Sequence, residues 1–287
     1  MVKTFTPSTL EEALNILSEE KNTTILAGGT DLMVRNKCWS GTVPKVGDNI
    51  LLMDNINDLR DVSLDDGVIK IGSGVTLTEI AENKLFPKIL RDAAEKMASP
   101  AIRNIATIGG NIINASPAGD LLPPLYALDS KLVLKSKEST RVVPIKDFII
   151  APGKTILDNN ELLVCILVPN YNITYSYYKK VGTRNSIALA KLSFCGIKIN
   201  KDDKEEVRIA FGAVAATIIK SEWIEKKINK VLLQVENFTE DIDTIIKNVI
   251  NEYDKLISPI TDQRSTEEYR RKTSLRILDD FLMKVLK

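Results

Sequence analysis

The chain has 287 residues, 39 Lys+Arg against 38 Asp+Glu, and no histidine. Its 44% apolar and 27% charged content is globular, its length favours two domains or one with subdomains, and a net charge of +1 gives no field for a nucleic-acid backbone. The missing histidine excludes Ser-His-Asp and Cys-His nucleophilic sites, His-ligated zinc or iron, haem on a proximal His, and imidazole proton shuttles.

Cys38, Cys165 and Cys195 form no CxxC pair, so neither a thiolate metal site nor a disulfide framework is expected. The start Met1-Val2-Lys3-Thr4-Phe5 carries no apolar stretch of signal-peptide type, and no run approaches the roughly 18 apolar residues of a membrane span. A cytoplasmic protein is expected, with chemistry drawn from an organic cofactor, a partner, or carboxylates and lysines.

Ser8-Thr9-Leu10-Glu11 reads as a capping box with Ser8 as N-cap, and Leu10, Ala13, Leu14 and Leu17 follow at helical spacing, predicting a helix over 9–19. Thr23–Ala27 reads as a buried strand stopped by Gly28-Gly29, 36–49 as a loop with Gly41, Pro44 and Gly47, and Ile50–Asp54 as a strand. Leu59–Leu64 and Val68–Gly72 flank Asp65-Asp66-Gly67, a hairpin signal. Thr76-Leu77-Thr78-Glu79 is a second capping box, opening a helix to about Asn83, and Phe86–Met97 is a further helix. A β-like run from Ile102 leads to Gly109-Gly110. Ala118-Gly119-Asp120 opens a helix through Leu128, and Lys131–Leu134 pairs with Arg141–Pro144.

Pro152-Gly153 and Pro169–Asn172 are the strongest breaks. Beyond them Tyr175–Val181, Ala188–Ile199 and Val207–Ala216 alternate as strands, with Asp202-Asp203 as a turn and two of the tyrosines 171, 175, 177 and 178 expected as packing. After 220 the pattern is helical, with Tyr269, Leu275, Leu278, Leu282 and Leu286 as the last apolar stripe. The expected class is α+β: two small α+β subdomains, 1–55 and 56–170, then a C-terminal domain, 171–287, of antiparallel sheet with helices.

Two glycine turns stand out, Ala27-Gly28-Gly29-Thr30-Asp31 and Thr107-Ile108-Gly109-Gly110-Asn111. Side-chain-free turns after strands expose consecutive backbone N–H groups, an anion nest suited to a pyrophosphate, and Thr30, Asn111 and Ser116 add neutral hydrogen bonds. Neither turn has GxGxxG or GxxxxGKS spacing, so the Rossmann and P-loop readings fail; two plain tight turns are the other reading.

The strings Ile102–Ile112 and Ser116-Pro117-Ala118-Gly119-Asp120-Leu121-Leu122-Pro123-Pro124, with Leu26-Ala27-Gly28-Gly29-Thr30-Asp31-Leu32 and the later Asp262-Arg264-Ser265…Tyr269-Arg270, resemble the FAD-binding subunit of molybdenum hydroxylases over essentially the whole chain. That resemblance implies the FAD-binding fold shared with vanillyl-alcohol-type oxidases, followed by a domain of CO-dehydrogenase-flavoprotein type. It implies that Ile25, Leu26, Ala27, Gly28, Gly29, Thr30, Asp31 and Leu32 wrap the FAD diphosphate, with Thr107, Ile108, Gly109, Gly110 and Asn111 as the second loop. Asp120, preceded by Ser116, falls at a position that holds the cofactor's sugar or sugar-alcohol part, Met97 at an apolar contact, and Leu163 and Lys179 at two later flavin contacts.

From the residues alone, Asp120 also reads as a helix N-cap, Met97 as core whether or not it meets the cofactor, Lys179 as a solvated strand lysine with Lys180 as its equal, and one tyrosine as a ring neighbour. The Gly-Gly-Thr-Asp loop, where other members have Gly-Gly-His-Ser, resembles the xanthine dehydrogenase branch, and Cys38 standing alone disfavours the branch with an extra four-cysteine cluster. The resemblance implies purine oxidation on a molybdopterin-binding large subunit, [2Fe-2S] centres on a small subunit, and hydride transfer from FAD to NAD⁺. Lys180–Ala190, with Gly182, Arg184 and Asn185, is the expected border of the NAD⁺ site. Rival readings are a nicotinate or other N-heterocycle hydroxylase with another acceptor, a self-sufficient vanillyl-alcohol-type oxidase, for which the region after 170 is short, and a cofactor-free scaffold.

Overall fold

The computed structural model describes residues 2–37, 46–184, 187–202, 204–233 and 241–287; Cys38, Gly41, Pro44, Asn185 and Asp203 lie outside the described residues. Three sheets follow one another along the chain. Lys3–Phe5 (β1), Thr23–Leu26 (β2) and Asn49–Leu52 (β3) form a parallel sheet in the order β1-β3-β2. Between them run helices α1 (Leu10–Glu19) and α2 (Leu32–Arg35). The cap of α1 lies one residue beyond its expected place. Thr9 accepts the Glu12 N–H, and Glu12, not Glu11, reaches back to the N–H and hydroxyl of Ser8. Ala13, Leu14 and Leu17 bury against Leu51, Met53, Ile56 and Leu59, the last in a 3-10 turn, Asn57–Arg60, where a strand from 59 was expected.

The second sheet has the order β4-β5-β10-β6-β7: Val62–Asp65 (β4), Val68–Gly72 (β5), Lys131–Lys135 (β6), Thr140–Pro144 (β7) and Leu162–Pro169 (β10), all antiparallel neighbours, with a small pair Ile149–Ala151 (β8) and Lys154–Thr155 (β9) set apart. The Asp65-Asp66-Gly67 hairpin forms as read, with φ +47° and +72° at Asp66 and Gly67. Six short helices line this segment: α3 (Leu77–Glu82), α4 (Lys88–Glu95), α5 (Pro100–Arg103), α6 (Ile108–Ile113), α7 (Leu122–Ala127) and α8 (Ile145–Phe148). The Thr76–Glu79 capping box is complete.

Asn172–Val181 (β11), Leu192–Lys201 (β12) and Lys204–Gly212 (β13) make an antiparallel sheet, joined by helices α9 (Glu222–Leu233), α10 (Ile242–Leu256) and α11 (Glu267–Leu286). The period of two on β12 divides two cores. Leu192 and Phe194 face the three helices, while Cys195, Ile197 and Ile199 join the core of the second segment. The stripe of α11 differs from the expected one. Leu278 and Leu282 are buried with Ile277, Phe281 and Val285, whereas Tyr269 is exposed beneath the Lys191 ammonium and Arg270 is buried. No helix among the described residues is long and apolar enough to cross a membrane.

Candidate cofactor site

The first glycine turn follows β2, where Ile25 and Ala27 pack on the first core and Leu26 accepts the Met53 N–H. Gly29 has φ +66°, which turns the chain into α2. Gly28 lies so close to the second segment that a Cβ there would sit 1.9 Å from the Ile105 carbonyl oxygen. Among the described residues no carbonyl accepts the N–H groups of Gly28, Gly29, Thr30 or Asp31, so this turn presents a run of uncommitted donors. The Asp31 carboxylate is held by Arg35, 2.6 Å away, and Leu32 begins α2.

The second glycine turn is built differently from the expectation. Gly109 and Gly110 are not a turn after a strand; they lie in the first turn of α6, capped by Thr107, whose hydroxyl accepts the Gly110 N–H. The Ile108 and Gly109 N–H groups go to Val75 and Ser73 carbonyls, and the Asn111 N–H to Thr107. The donors of Ile108, Gly109, Gly110 and Asn111 are therefore already used. A Cβ on Gly109 would meet Ser73 at 2.7 Å, so a glycine here lets α6 pack closely against the β5 end. The Asn111 Oδ1 is buried with no partner among the described residues, an acceptor in need of a donor such as a sugar hydroxyl.

Asp120 is not the N-cap of α7; Leu121 holds that place. Its carboxylate accepts the Tyr178 hydroxyl at 3.2 Å and the Lys180 ammonium at 2.8 Å, and Lys180 also donates to the Lys96 carbonyl. Burial pushes the Asp120 carboxyl above the ordinary range, against the pull of Lys180 and Tyr178. Burial with the Asp120 charge drives the Tyr178 hydroxyl well up, so it stays a donor. Ser116 shapes the approach to Asp120, its hydroxyl accepting the Ala118 N–H.

Of the two lysines, Lys180 shares the face of β11 with Tyr178 and reaches Asp120, whereas Lys179 is exposed on the face of Tyr177 and Val181. The pairing of Tyr178 and Lys180 with Asp120 was not anticipated, although the alternation of β11 carries the signal: a buried Tyr178 puts Lys180 beside it. Met97 is half-buried beside Lys96, and Leu163 is buried in β10 opposite Leu134. The structure thus brings together the 28–31 turn with 105–107, and 116–120 with Tyr178, Lys180 and Lys96; Lys179 and Leu163 stand outside these two groups. Among the described residues no cluster of ligands for a metal ion occurs.

Free backbone donors, an orphaned acceptor and a near-neutral charge fit a diphosphate cofactor carrying sugar hydroxyls. This is the chemistry of an α+β nucleotide-cofactor protein. The family model for the FAD binding domain in molybdopterin dehydrogenase matches residues 1–171, and the chain belongs to that family, the FAD-binding medium subunits of molybdenum hydroxylases. It is similar to the xanthine dehydrogenase FAD-binding subunit of Escherichia coli O157:H7, 28% identical over 270 residues, covering 92% of this chain and 88% of that one. The glyceraldehyde dehydrogenase medium chain of Sulfolobus acidocaldarius is 30% identical over 268 residues, covering 91% and 90%. A solved carbon monoxide dehydrogenase structure from Hydrogenophaga pseudoflava has the same fold, with a TM-score of 0.83 at 22% identity over 97% of this chain and 95% of that one.

Proposed function

We propose that this chain is the FAD-binding subunit of a hydroxylase of xanthine dehydrogenase type, receiving electrons from [2Fe-2S] centres of a small partner chain and passing a hydride to NAD⁺. Substrate oxidation then belongs to a molybdopterin-binding large partner. The observation that carries the reading is the run of open N–H groups at Gly28, Gly29, Thr30 and Asp31 within the family-matched region. These donors bind the diphosphate without a basic patch. The buried Asn111 acceptor and the Asp120 carboxylate take sugar hydroxyls, and Lys180 holds Asp120 in place at the edge of the third sheet, 2.8 Å away. FAD supplies the redox chemistry when bound, and the protein supplies binding, orientation and electrostatics, a division of labour that needs no histidine.

The acceptor assignment is tested on the purified full chain. It retains FAD, and NADH bleaches the flavin band anaerobically; a flavin that NADH leaves oxidised rejects NAD⁺ as the acceptor. Arg184, whose guanidinium donates to the Ile187 carbonyl at 2.7 Å, lies at the expected nicotinamide border. Arg184→Ala slows bleaching by NADH and leaves flavin content unchanged.

The names of relatives at 28% and 30% identity differ in substrate. That difference supports a second reading, the same subunit serving another hydroxylase. Turnover of xanthine or of nicotinate by the assembled enzyme separates the two.

A further inference from the structure

The Asp262…Arg270 string at the start of α11 is far along the chain from both glycine turns, and its geometry links it to one wall of the site. Asp262 accepts the N–H groups of Arg264 and Ser265 and the Arg270 guanidinium, the last at 2.6 Å. Arg270 is almost fully buried, and its second arm donates to the Ala213 carbonyl at 3.1 Å. Ala213 has φ +61°, a conformation that an L residue keeps only when its surroundings hold it there. Its N–H donates to the Pro117 carbonyl at 2.7 Å. Pro117 is the second residue of the turn in which Gly119 N–H closes onto the Ser116 carbonyl and which delivers Asp120 to Tyr178 and Lys180.

We propose that Arg270, clamped by Asp262, is a positioning residue for the cofactor site: it holds Ala213 in its left-handed conformation and so fixes Pro117 and the 116–120 turn. The inference rests on the cofactor reading above for its functional meaning, but the mechanical link stands on the hydrogen bonds alone. Arginine suits the task because its planar fork serves two acceptors in different directions, which a single ammonium cannot do in the same place. Its buried charge is tolerated because Asp262 answers it. Burial pulls the Asp262 carboxyl up, but the Arg264 N–H, the Arg270 guanidinium and the Ser265 N–H outweigh that and hold it at about 2. Asp262 therefore stays ionised at neutral pH.

The test uses the full chain with Arg270→Lys, which keeps the charge and loses the fork. Without cofactor, amide hydrogen exchange of the peptide covering 116–120 accelerates about tenfold or more, while peptides from the β1–β3 sheet do not change. The dissociation constant for FAD, read by quenching of free flavin fluorescence, rises about tenfold. Adding Ala213→Gly restores much of both, because glycine adopts φ +61° unaided. Asp262→Asn moves both readings in the same direction by less, and serves if Arg270→Lys does not fold. Lys272→Ala, on the exposed side of the same helix, changes neither. Normal exchange at 116–120 in a folded Arg270→Lys or Asp262→Asn protein overturns the inference, as does a loss of binding that Ala213→Gly leaves unrelieved. If the wild-type chain takes up no FAD, the cofactor reading fails, and the exchange result still decides the link.

Discussion

The Asp120 carboxylate and the Lys180 ammonium lie 2.8 Å apart, each side chain less than a tenth exposed, one from the turn before α7 and the other from β11. Two segments far apart in sequence thus share one buried ion pair at the edge of the candidate cofactor site. A buried pair adds little over an apolar contact of the same shape, but removing one partner strands the other charge. Lys180→Met therefore lowers the unfolding free energy by about 3–5 kcal/mol in urea denaturation at neutral pH. Lys179→Met, at an exposed site on the opposite face of the strand, changes it by less than about 0.5 kcal/mol. Equal effects of the two substitutions would show that Lys180 is not the partner of Asp120.

The glycines of the two turns respond differently. Gly28→Ala drives a methyl group into the Ile105 carbonyl and parts the two turns, so flavin retention falls and stability drops by about 1–3 kcal/mol. Gly109→Ala meets Ser73, so the cofactor-free protein loses a similar amount and weaker FAD binding follows from that loss. For the same reason Gly109→Asp acts by unseating α6 from the β5 end. Comparing urea midpoints without FAD with dissociation constants for FAD decides it. A Gly109→Ala protein of normal stability that no longer binds FAD contradicts the assignment.

Glu225 gives the stability a pH dependence. It accepts the Ile209 N–H beside buried Lys220 and Arg208 and the half-exposed Asp129. Burial raises its carboxyl to about 7, with Lys220 and the Ile209 N–H opposing and Asp129 assisting. The folded chain then holds this proton where the unfolded chain has released it, so stability falls as pH rises from about 4.5 to about 7 and levels off above. Glu225→Gln keeps an acceptor for Ile209 and removes this slope, gaining on the order of 3 kcal/mol at pH 8 relative to pH 4.5. Urea denaturation at several pH values measures it; parallel profiles for the two proteins would refute the assignment.

Local signals carried much of this architecture. The Thr76–Glu79 box, the Asp66-Gly67 hairpin and the three strands after 171 follow from capping geometry, turn chemistry and alternation. At Ile102–Asn114 the β-branched residues and paired glycines favour a strand and turn, but α5 forms under the Ser99 cap, and α6 forms because the carbonyls of Ser73 and Val75 capture two amides and Thr107 caps a third. That competition is tertiary and leaves no local mark. Within the site, the open first turn was legible from its glycines. The choice of Lys180 over Lys179 needed the face of β11, which Tyr178 reveals once its burial is known.

The family match ends at residue 171, within two residues of the start of β11. Cutting the gene at that boundary would yield a fragment that contains both glycine turns and Asp120 but neither Tyr178 nor Lys180. Its carboxylate would face a raw apolar surface stripped of Cys195, Ile197 and Ile199. Such a truncate is a recipe for inclusion bodies rather than a minimal flavodomain, and supplying 172–287 as a separate polypeptide should bring it back into solution. On this expectation, the segment that homology marks out is smaller than the piece of protein that stays in solution by itself.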